Sequence, residues 1–216
     1  MNGEHRPSVL FDSPQPREPF CAGVLVREAD RVLLALADYE EWILGTGGVR
    51  IPVRRVGGGQ RPRETMPACA QREAREEIAS SVILRHARVT FVEARGELKP
   101  IHFNPAPAPV LYQILRREAT TPLGPGLPAG RWLHMAIYLA EPSLRPMPGD
   151  VPGLLWMPLA AIGLLRDGVS CAELPGLGGE LLSGQRFTDD TEFFIPAPST
   201  EEMLCRVIDR FGVSAL

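Results

Sequence analysis

Gly58–Ser80 reads GGQRPRETMPACAQREAREEIAS, and this stretch decides the fold because it joins a glycine-rich turn to an acidic helix. A helix is predicted over 66–78, since Thr65 is a favourable N-cap and Pro67 falls in the first turn, where its missing N–H costs little. The apolar residues of this helix recur every four positions and are Ala70, Ala74 and Ile78. One side of the helix is therefore expected to pack on a core.

Three carboxylates crowd another side of the same helix. Glu73, Glu76 and Glu77 are spaced i, i+3 and i+4, which places them on one helical face, where they repel one another. A divalent cation would relieve this repulsion, and Mg²⁺ prefers carboxylate and phosphate oxygens. The pattern predicts a site for a divalent metal ion. The alternative is a solvated, salt-bridged helix face.

The whole stretch resembles the Nudix box, G-x5-E-x7-R-E-U-x-E-E-x-G-U, in which U is a bulky aliphatic residue. The residues that match this pattern are Gly58, Glu64, Arg72, Glu73, Glu76 and Glu77, with Ala74 in the first U position. Ala79 stands where the family has glycine. Either the helix ends differently, or the cost of a left-handed alanine, roughly 1 kcal/mol, is tolerated. Ser80 replaces the final aliphatic residue, which suggests a more exposed turn.

The resemblance implies an α/β fold, an α/β/α sandwich around a mixed β-sheet, that covers about residues 20–167. It also implies a hydrolase that cleaves the diphosphate linkage of a nucleoside diphosphate joined to another moiety, with Mg²⁺ or Mn²⁺ as cofactor. By this resemblance Glu73, Glu76 and Glu77 hold the metal, which would neutralise the diphosphate and activate a water molecule. Catalysis is assigned to Arg72, Glu73 and Glu76, with Arg72 supporting a catalytic glutamate through an ion pair.

Gly58, Gly59 and Glu64 are assigned to substrate binding. The two glycines let the backbone turn tightly between strand and helix, and Glu64 would be an outer ligand or a structural partner. A further acid outside the box is expected, and the candidates are Glu93, Glu97, Glu118 and Glu141. The alternative function is a catalytically weak or inactive Nudix-like module that binds a nucleotide in a regulatory role.

Strand patterns dominate the rest of the chain. Strands are predicted over 21–26, 32–37, 49–56, 109–116, 132–139 and 154–159, the first two as a β-hairpin, and 82–95 is predicted to form one or two strands. Pro52 interrupts the third pattern, which predicts an edge position or a bulge. Helices are predicted over 160–166 and after Ser199, where Ser199 and Glu202 form a capping box and Gly212 ends the helix.

Residues 96–130 form a proline-rich insertion in which long loops are expected around the one strand. Four of its side chains could stack on or hydrogen-bond a nucleotide base, or could simply anchor the loop: His102, Phe103, Asn104 and Tyr112. Residues 168–216 form a C-terminal extension, irregular over 170–198. Its acidic residues Asp189, Asp190 and Glu192 form either a second acidic edge or a solvated loop.

Composition narrows the class of protein. The 216 residues are 44% hydrophobic with a net charge of −3, which favours one domain at 20–216 after a flexible tail at 1–19. This charge balance argues against a nucleic-acid polymer or a membrane as partner, so a small nucleotide-type substrate is expected. A homodimer is left open. Four scattered cysteines indicate neither a zinc site nor a disulfide framework. Without an apolar leader or a membrane-length apolar run, a cytoplasmic location is expected.

Overall fold

The computed structural model describes residues 18–46, 48–103, 106–118, 121–122 and 124–216. Within them the fold is mixed α/β, with a large β-sheet and two α-helices, α1 (Met66–Glu77) and α2 (Thr200–Phe211). The strands are β1 (Phe20–Glu28), β2 (Arg31–Leu36), β3 (Ile43–Gly45), β4 (Gly48–Arg54), β5 (Val56–Gly59), β6 (Val82–Arg85), β7 (Thr90–Ala94), β8 (Glu97–Ile101), β9 (Leu111–Arg116), β10 (Trp132–Pro142), β11 (Leu154–Pro158), β12 (Val169–Ser170), β13 (Glu180–Leu182) and β14 (Glu192–Phe194). Most of the predicted tail, residues 1–17, lies outside the described residues.

The sheet is mixed, and β1 lies at its centre. It runs parallel to β10 and antiparallel to β5, so that Cys21 lies opposite both Met135 and Gly59. From β10 the sheet continues through β9 and β7 to the edge strand β8, and from β1 it continues through β2 and β4 to β14 and β12. With these directions, β5, β7 and β9 end at the same end of the sheet at which β1 and β10 begin.

Each face of the sheet carries a core and a helix. Side chains alternate between the faces, so Leu33 and Ala35 of β2 pack on the α1 side while Leu34 and Leu36 pack on the α2 side. The α1 core includes Met66, Cys69, Ala70, Ala74 and Ile78, and the α2 core includes Met203, Leu204, Cys205 and Val207. The predicted α/β fold, with a mixed sheet between helices, is confirmed.

Pro52 does not mark an edge strand. β4 pairs with β14 on one side and with β3 and then β2 on the other. Pro52 lies between the residues that pair with β3 and those that pair with β2, and its carbonyl accepts a hydrogen bond from Ala37 N at 2.9 Å. The proline is therefore placed where the partner strand changes, and the predicted edge position is wrong.

The insertion contains a strand that the sequence pattern missed. β8 forms an antiparallel hairpin with β7, in which Ala94 pairs with Glu97 across Arg95 and Gly96. Both turn residues have positive φ, 55° and 81°. Pro100 is accepted in β8 because the outer side of an edge strand needs no N–H donor.

The C-terminal extension is less irregular than its composition indicates. The helix predicted over 160–166 is a 3-10 helix, Ile162–Arg166, and residues 170–198 contribute β13 and β14. α2 begins as predicted, with the Ser199 hydroxyl accepting from Glu202 N at 3.1 Å, and ends at Gly212, whose φ is 82°. In a capping box the Glu202 carboxylate would accept from Ser199 N, but here it binds Arg166 instead. Within the described ranges, no helix is long and apolar enough to cross a membrane.

Candidate active site

Arg72 is the centre of the acidic face of α1. Its Nε and Nη2 atoms donate to the two carboxylate oxygens of Glu64 at 2.8 and 2.9 Å. Its Nη1 atom donates to Glu73 Oε1 at 2.6 Å and to Glu76 Oε2 at 2.9 Å. The hydrogen bond with Glu64, together with those to Glu73 and Glu76, raises the pKa of Arg72. One cation, 11% exposed, therefore fixes three carboxylates.

Glu64 closes the loop that leads into α1. Besides its two bonds from Arg72, it accepts a hydrogen bond from Arg61 N at 2.8 Å. Burial would raise the pKa of this carboxyl, but the bonds from Arg72 and from the Arg61 backbone outweigh it and lower the pKa. Of the two roles predicted for Glu64, these contacts are those of a structural partner.

Glu73 is packed against the glycine turn. A Cβ on Gly58 would lie 2.5 Å from Glu73 Oε1, so only glycine leaves room for this carboxylate beside the backbone. The neighbouring Gly59 supplies its carbonyl to Arg72 Nη2 at 2.8 Å. Burial raises the pKa of Glu73, and Arg72 opposes that rise. Both glycines thus help to build the acidic face, and their predicted contact with substrate stays a prediction.

Glu77 lies on the other side of the same turn. Its Oε2 atom accepts a hydrogen bond from Gly57 N at 2.8 Å, and the residue is 6% exposed. Burial raises the pKa of Glu77 to about 8, against the hydrogen bond from Gly57 and the charge of Arg54. Burial thus favours the protonated form of this carboxyl, and a nearby cation would favour the charged form again.

Glu76 is the most accessible of the three acids. Its side chain is 34% exposed and is held by two arginines, Arg61 Nη2 at 2.9 Å and Arg72 Nη1 at 2.9 Å. Arg61 is a site residue that the sequence reasoning missed. It lies in the loop 15 residues before Glu76, where no helical or strand periodicity indicates a contact.

Of the two alternatives for Ala79, a different helix end or a tolerated left-handed alanine, the structure has the second. Ala79 adopts φ 48°, the left-handed conformation, so the strain is accepted and the helix still ends there. A later loop binds the free carbonyls of the last turn: Met147 N donates to Ile78 O, Gly149 N to Glu77 O and Asp150 N to Glu76 O, at 2.9 to 3.1 Å. These bonds satisfy acceptors that a helix end otherwise leaves to water.

Ser80 is not in an exposed turn. It is 2% exposed, and its hydroxyl exchanges hydrogen bonds with both the N–H and the carbonyl of Leu144 at 3.1 Å. The prediction of a more exposed turn is therefore wrong. The hydroxyl serves as an anchor for the segment that continues to the loop over the α1 end, a role that an aliphatic residue could not fill.

The acidic face of α1 has the donor atoms that a divalent cation prefers, but its side chains are not arranged around a common point. Glu73, Glu76 and Glu77 offer only oxygen donors, as Mg²⁺ prefers, beside a turn that a Cβ would fill. Among the residues that the structure describes, however, no three acidic, histidine or cysteine side chains form a group that could hold an ion. Arg61 and Arg72 hold Glu76, while Gly57 holds Glu77. A cation on this face would have to replace an arginine at Glu76.

The acids proposed outside the box have other partners. Glu93 is buried on the α2 side, where it accepts from Gln113 at 2.9 Å and pairs with Arg206 at 2.5 Å. The exposed candidates Glu97 and Glu141 pair with Lys99 and Arg85, respectively. Glu118 is exposed in the segment that follows β9. None of these contacts joins the four candidates to α1 within the described parts of the chain.

The insertion residues proposed for a base are mostly engaged in packing. Tyr112 is fully buried, and its hydroxyl lies 2.7 Å from His134 Nδ1. The His102 ring binds Arg88 O at 2.9 Å, and Phe103 packs beside the α1 core. Asn104 lies outside the described residues. At the proposed second acidic edge, Glu192 pairs with Arg50.

A buried ion pair next to the glycine turn was also missed by the sequence reasoning. Glu201, 3% exposed, accepts from Arg55 N at 2.7 Å and lies 3.7 Å from the Arg55 guanidinium. Arg55 separates β4 from β5, so the pair ties the start of α2 to the strand that leads into the turn. The alternating pattern at 49–56 gave no sign of a partner 146 residues away.

Comparison with known proteins gives similarity at the level of structure. No family model matches the sequence. No curated protein sequence matches it either. The fold is similar to a NUDIX-family hydrolase from Clostridium perfringens, with 17% identity over 68% of this chain and 84% of that chain and a TM-score of 0.39. A NUDIX hydrolase from Nitrosomonas europaea has 14% identity over 90% of this chain and 72% of that chain, with a TM-score of 0.37. A MutT protein from Bacillus halodurans has 13% identity over 67% and 71% of the two chains, with a TM-score of 0.36.

Proposed function

We propose that the chain is a metal-dependent hydrolase of the Nudix type that cleaves the diphosphate linkage of a nucleoside diphosphate joined to another moiety. The observation that carries this proposal is the Arg72 centre. It holds Glu64, Glu73 and Glu76 at hydrogen-bonding distance beside the Gly58 turn. Glu73 and Glu77 lie largely buried one turn apart on the same helix, and burying two carboxylates side by side is costly unless a positive charge compensates them.

The three acids have distinct surroundings that suit distinct tasks. Glu73 and Glu77 are fixed from both sides by the turn and by α1, so they supply rigid oxygen ligands. A bound Mg²⁺ or Mn²⁺ ion would supply positive charge to neutralise the diphosphate. Glu76 is accessible to solvent and is held by two arginines, so it is free to change partner and to accept a proton from water.

Arg72 is a positioning residue in this scheme. Within the described residues its guanidinium hydrogen-bonds to five groups of the protein, which are Glu64, Glu73, Glu76, the Gly59 carbonyl and the Cys69 sulfur. Arg61 is different, because its side chain is 60% exposed and, in the part of the chain that the structure describes, binds only Glu76. A cation held by Glu76 would displace Arg61, whose guanidinium would then be available to bind a phosphate oxygen of the substrate.

Hydrolysis of a panel of nucleoside diphosphate derivatives tests the proposal. ADP-ribose and other ADP- and GDP-linked sugars are incubated with 5–10 mM Mg²⁺ or Mn²⁺, a range of roughly the order used to saturate weak oxygen sites. Release of nucleoside monophosphate is measured by chromatography. Turnover of at least one compound is expected, with loss on chelation and a drop of about 100-fold or more in Glu76→Gln.

Glu40→Gln is the matched control, because Glu40 is an exposed glutamate in the 3-10 turn Tyr39–Glu41, away from α1. It removes the same charge and should keep full turnover. Absence of turnover across the panel contradicts the proposal. So does a Glu76→Gln variant that is as active as the Glu40→Gln variant.

A second candidate is a module of the same fold that binds a nucleotide without cleaving it. The pairing of Glu76 with both Arg61 and Arg72 favours this candidate, because it leaves no ready-made group of three metal-binding side chains in the described residues. Thermal unfolding separates the two. Stabilisation by a nucleotide in the presence of a chelator, without product, supports the binding module.

A further inference from the structure

A cluster of arginines lies at the end of the sheet beyond the acidic face. β7 ends next to Arg95, β9 ends at Arg116, and β10 begins at Trp132, directly after Arg131. Trp132 is paired with Arg116 in the register of β9 and β10. Two adjoining cavities of about 490 and 530 Å³ open here, and both are lined by Arg116 and Arg131.

The arginine cluster has few negative partners. Arg95, Arg116 and Arg131 are exposed and make no ion pair with the part of the chain that the structure describes. Glu118 is the one carboxylate among the described residues that line these cavities. In a chain with a net charge of −3, such a local excess of cations is not a result of overall composition. The excess of positive charge indicates a site that binds an anion.

Hydrogen bonds fix the backbone under the arginine cluster. The Arg117 side chain donates to Gly130 O at 3.3 Å and to Thr121 O at 2.8 Å. Arg117 N also donates to Arg131 O at 2.7 Å. These bonds fix the backbone that carries Arg131 beside the end of β9. Ile114 and the half-buried Trp132 form the apolar floor of one cavity.

The floor of the cluster is on the same face of the sheet as α1. Tyr112 and Ile114 of β9 belong to the α1 side, as does Ala136 of β10, so the alternation of side chains puts Arg116 and Trp132 there too. Between the glycine turn and β9 lie three strand spacings, β5 to β1 to β10 to β9, or about 14 Å. The arginines are therefore a separate site and not part of the Arg72 centre.

We propose that Arg95, Arg116 and Arg131, with Trp132 as a floor, form a second anion site that binds a phosphate chain. Guanidinium groups match phosphate oxygens in geometry and stay charged at any physiological pH. The phosphates belong either to the distal part of a long substrate or to a separate molecule. The site does not depend on the proposed hydrolysis, because it uses none of the α1 residues.

Calorimetric titration with inorganic tripolyphosphate in the presence of EDTA tests the site. Without divalent metal the α1 carboxylates repel the probe, so binding reports on the arginines. One molecule is expected to bind per chain, and Arg116→Gln and Arg131→Gln are each expected to weaken binding by about tenfold, as for the loss of a charged hydrogen bond. Affinity should fall steeply with salt.

Arg145→Gln is the matched control, since Arg145 is an exposed arginine that pairs with Glu180 elsewhere on the surface. It should leave tripolyphosphate binding unchanged. Failure of the wild-type chain to bind the probe overturns the proposal. Equal affinities of Arg116→Gln, Arg131→Gln and Arg145→Gln overturn it as well.

Kinetics identify the source of the phosphates. If the site holds the distal part of a substrate, Arg116→Gln raises KM about tenfold for diadenosine tetraphosphate but not for ADP-ribose, which has no phosphate beyond its diphosphate. If it holds a separate molecule, tripolyphosphate changes the rate with ADP-ribose in the wild-type chain and not in Arg116→Gln. A chain that hydrolyses neither compound but binds the probe loses the proposed function and keeps the anion site.

Discussion

α1 and α2 are helices of 12 residues on opposite faces of one sheet, and they differ in what they bury. Each begins with a hydroxyl N-cap, Thr65 or Ser199. α2 turns Met203, Leu204 and Val207 inward and buries one glutamate, Glu201, beside Arg55. α1 keeps two glutamates one turn apart, Glu73 and Glu77, largely out of water.

The two helices also end differently. α2 ends at Gly212 with φ 82°, the residue that reaches this region at least cost. α1 ends at Ala79 with φ 48°, and a loop from a distant part of the chain has to satisfy its carbonyls. α2 thus pairs its one buried acid with an arginine and ends at a glycine, whereas α1 crowds several acids on one face and ends at a left-handed alanine. Such departures from the most stable arrangement are expected where a structure serves function.

The largest expected effect on stability concerns the arginine that holds the acids of each helix, Arg72 within α1 and Arg166 of the 3-10 helix beside α2. Arg72 is 11% exposed and holds three carboxylates, whereas Arg166 is 31% exposed and holds two acids of α2, Glu202 and Asp209. Arg72→Gln should lower the free energy of unfolding by about 3 kcal/mol, because it leaves buried carboxylates uncompensated. Arg166→Gln should lower it by less than about 1 kcal/mol. Urea unfolding measures both, and equal losses would remove the distinction between the helices.

A smaller effect is expected at the loop that covers the end of α1. A Cβ on Gly149 would overlap the carbonyl oxygen of Glu76, which is backbone and cannot turn away. Gly149→Ala should therefore lower the free energy of unfolding by about 2 kcal/mol. Gly176→Ala is the control, since nothing lies near the position of its Cβ. If the two variants unfold at the same urea concentration, the loop does not hold the helix end.

The smallest expected effect on stability is at the residues that end the two helices, Ala79 after α1 and Gly212 after α2. Ala79→Gly should raise the free energy of unfolding by up to about 1 kcal/mol, because glycine relieves the left-handed strain. Gly212→Ala should lower it by a similar amount for the converse reason. The unfolding temperature is therefore expected to rise in Ala79→Gly and to fall in Gly212→Ala. Destabilisation by Ala79→Gly would mean that the alanine methyl group contributes packing that exceeds its strain.

Local patterns predicted α1 and α2 well. Caps, apolar spacing and Gly212 are properties of a few neighbouring residues, and they gave the two helices almost to the residue. The same holds for the acidic face, because the spacing of Glu73, Glu76 and Glu77 is a matter of helix geometry alone. The strand β8 was missed because prolines were taken as signs of loops, although an edge strand tolerates one at Pro100.

Contacts across the chain were beyond the reach of the sequence pattern. The bond of Gly57 to Glu77, the ion pair of Arg61 with Glu76 and the burial of Ser80 against Leu144 all depend on how separate elements meet. The buried pair of Arg55 with Glu201 is of the same kind. No periodicity encodes such a partner, so the acids were predicted but the groups that hold them were not.

The loop at residues 147–150 has a consequence for the order in which the chain acquires structure. Its N–H groups complete the last turn of α1, about 70 residues earlier in the chain. A ribosome at typical speed needs several seconds to add that many residues. The side-chain partners of the acids, Gly57, Arg61 and Arg72, are already made by then, but the carbonyls of the last turn are not yet covered. The C-terminal end of α1 is therefore completed only after β10 and the loop behind it have emerged.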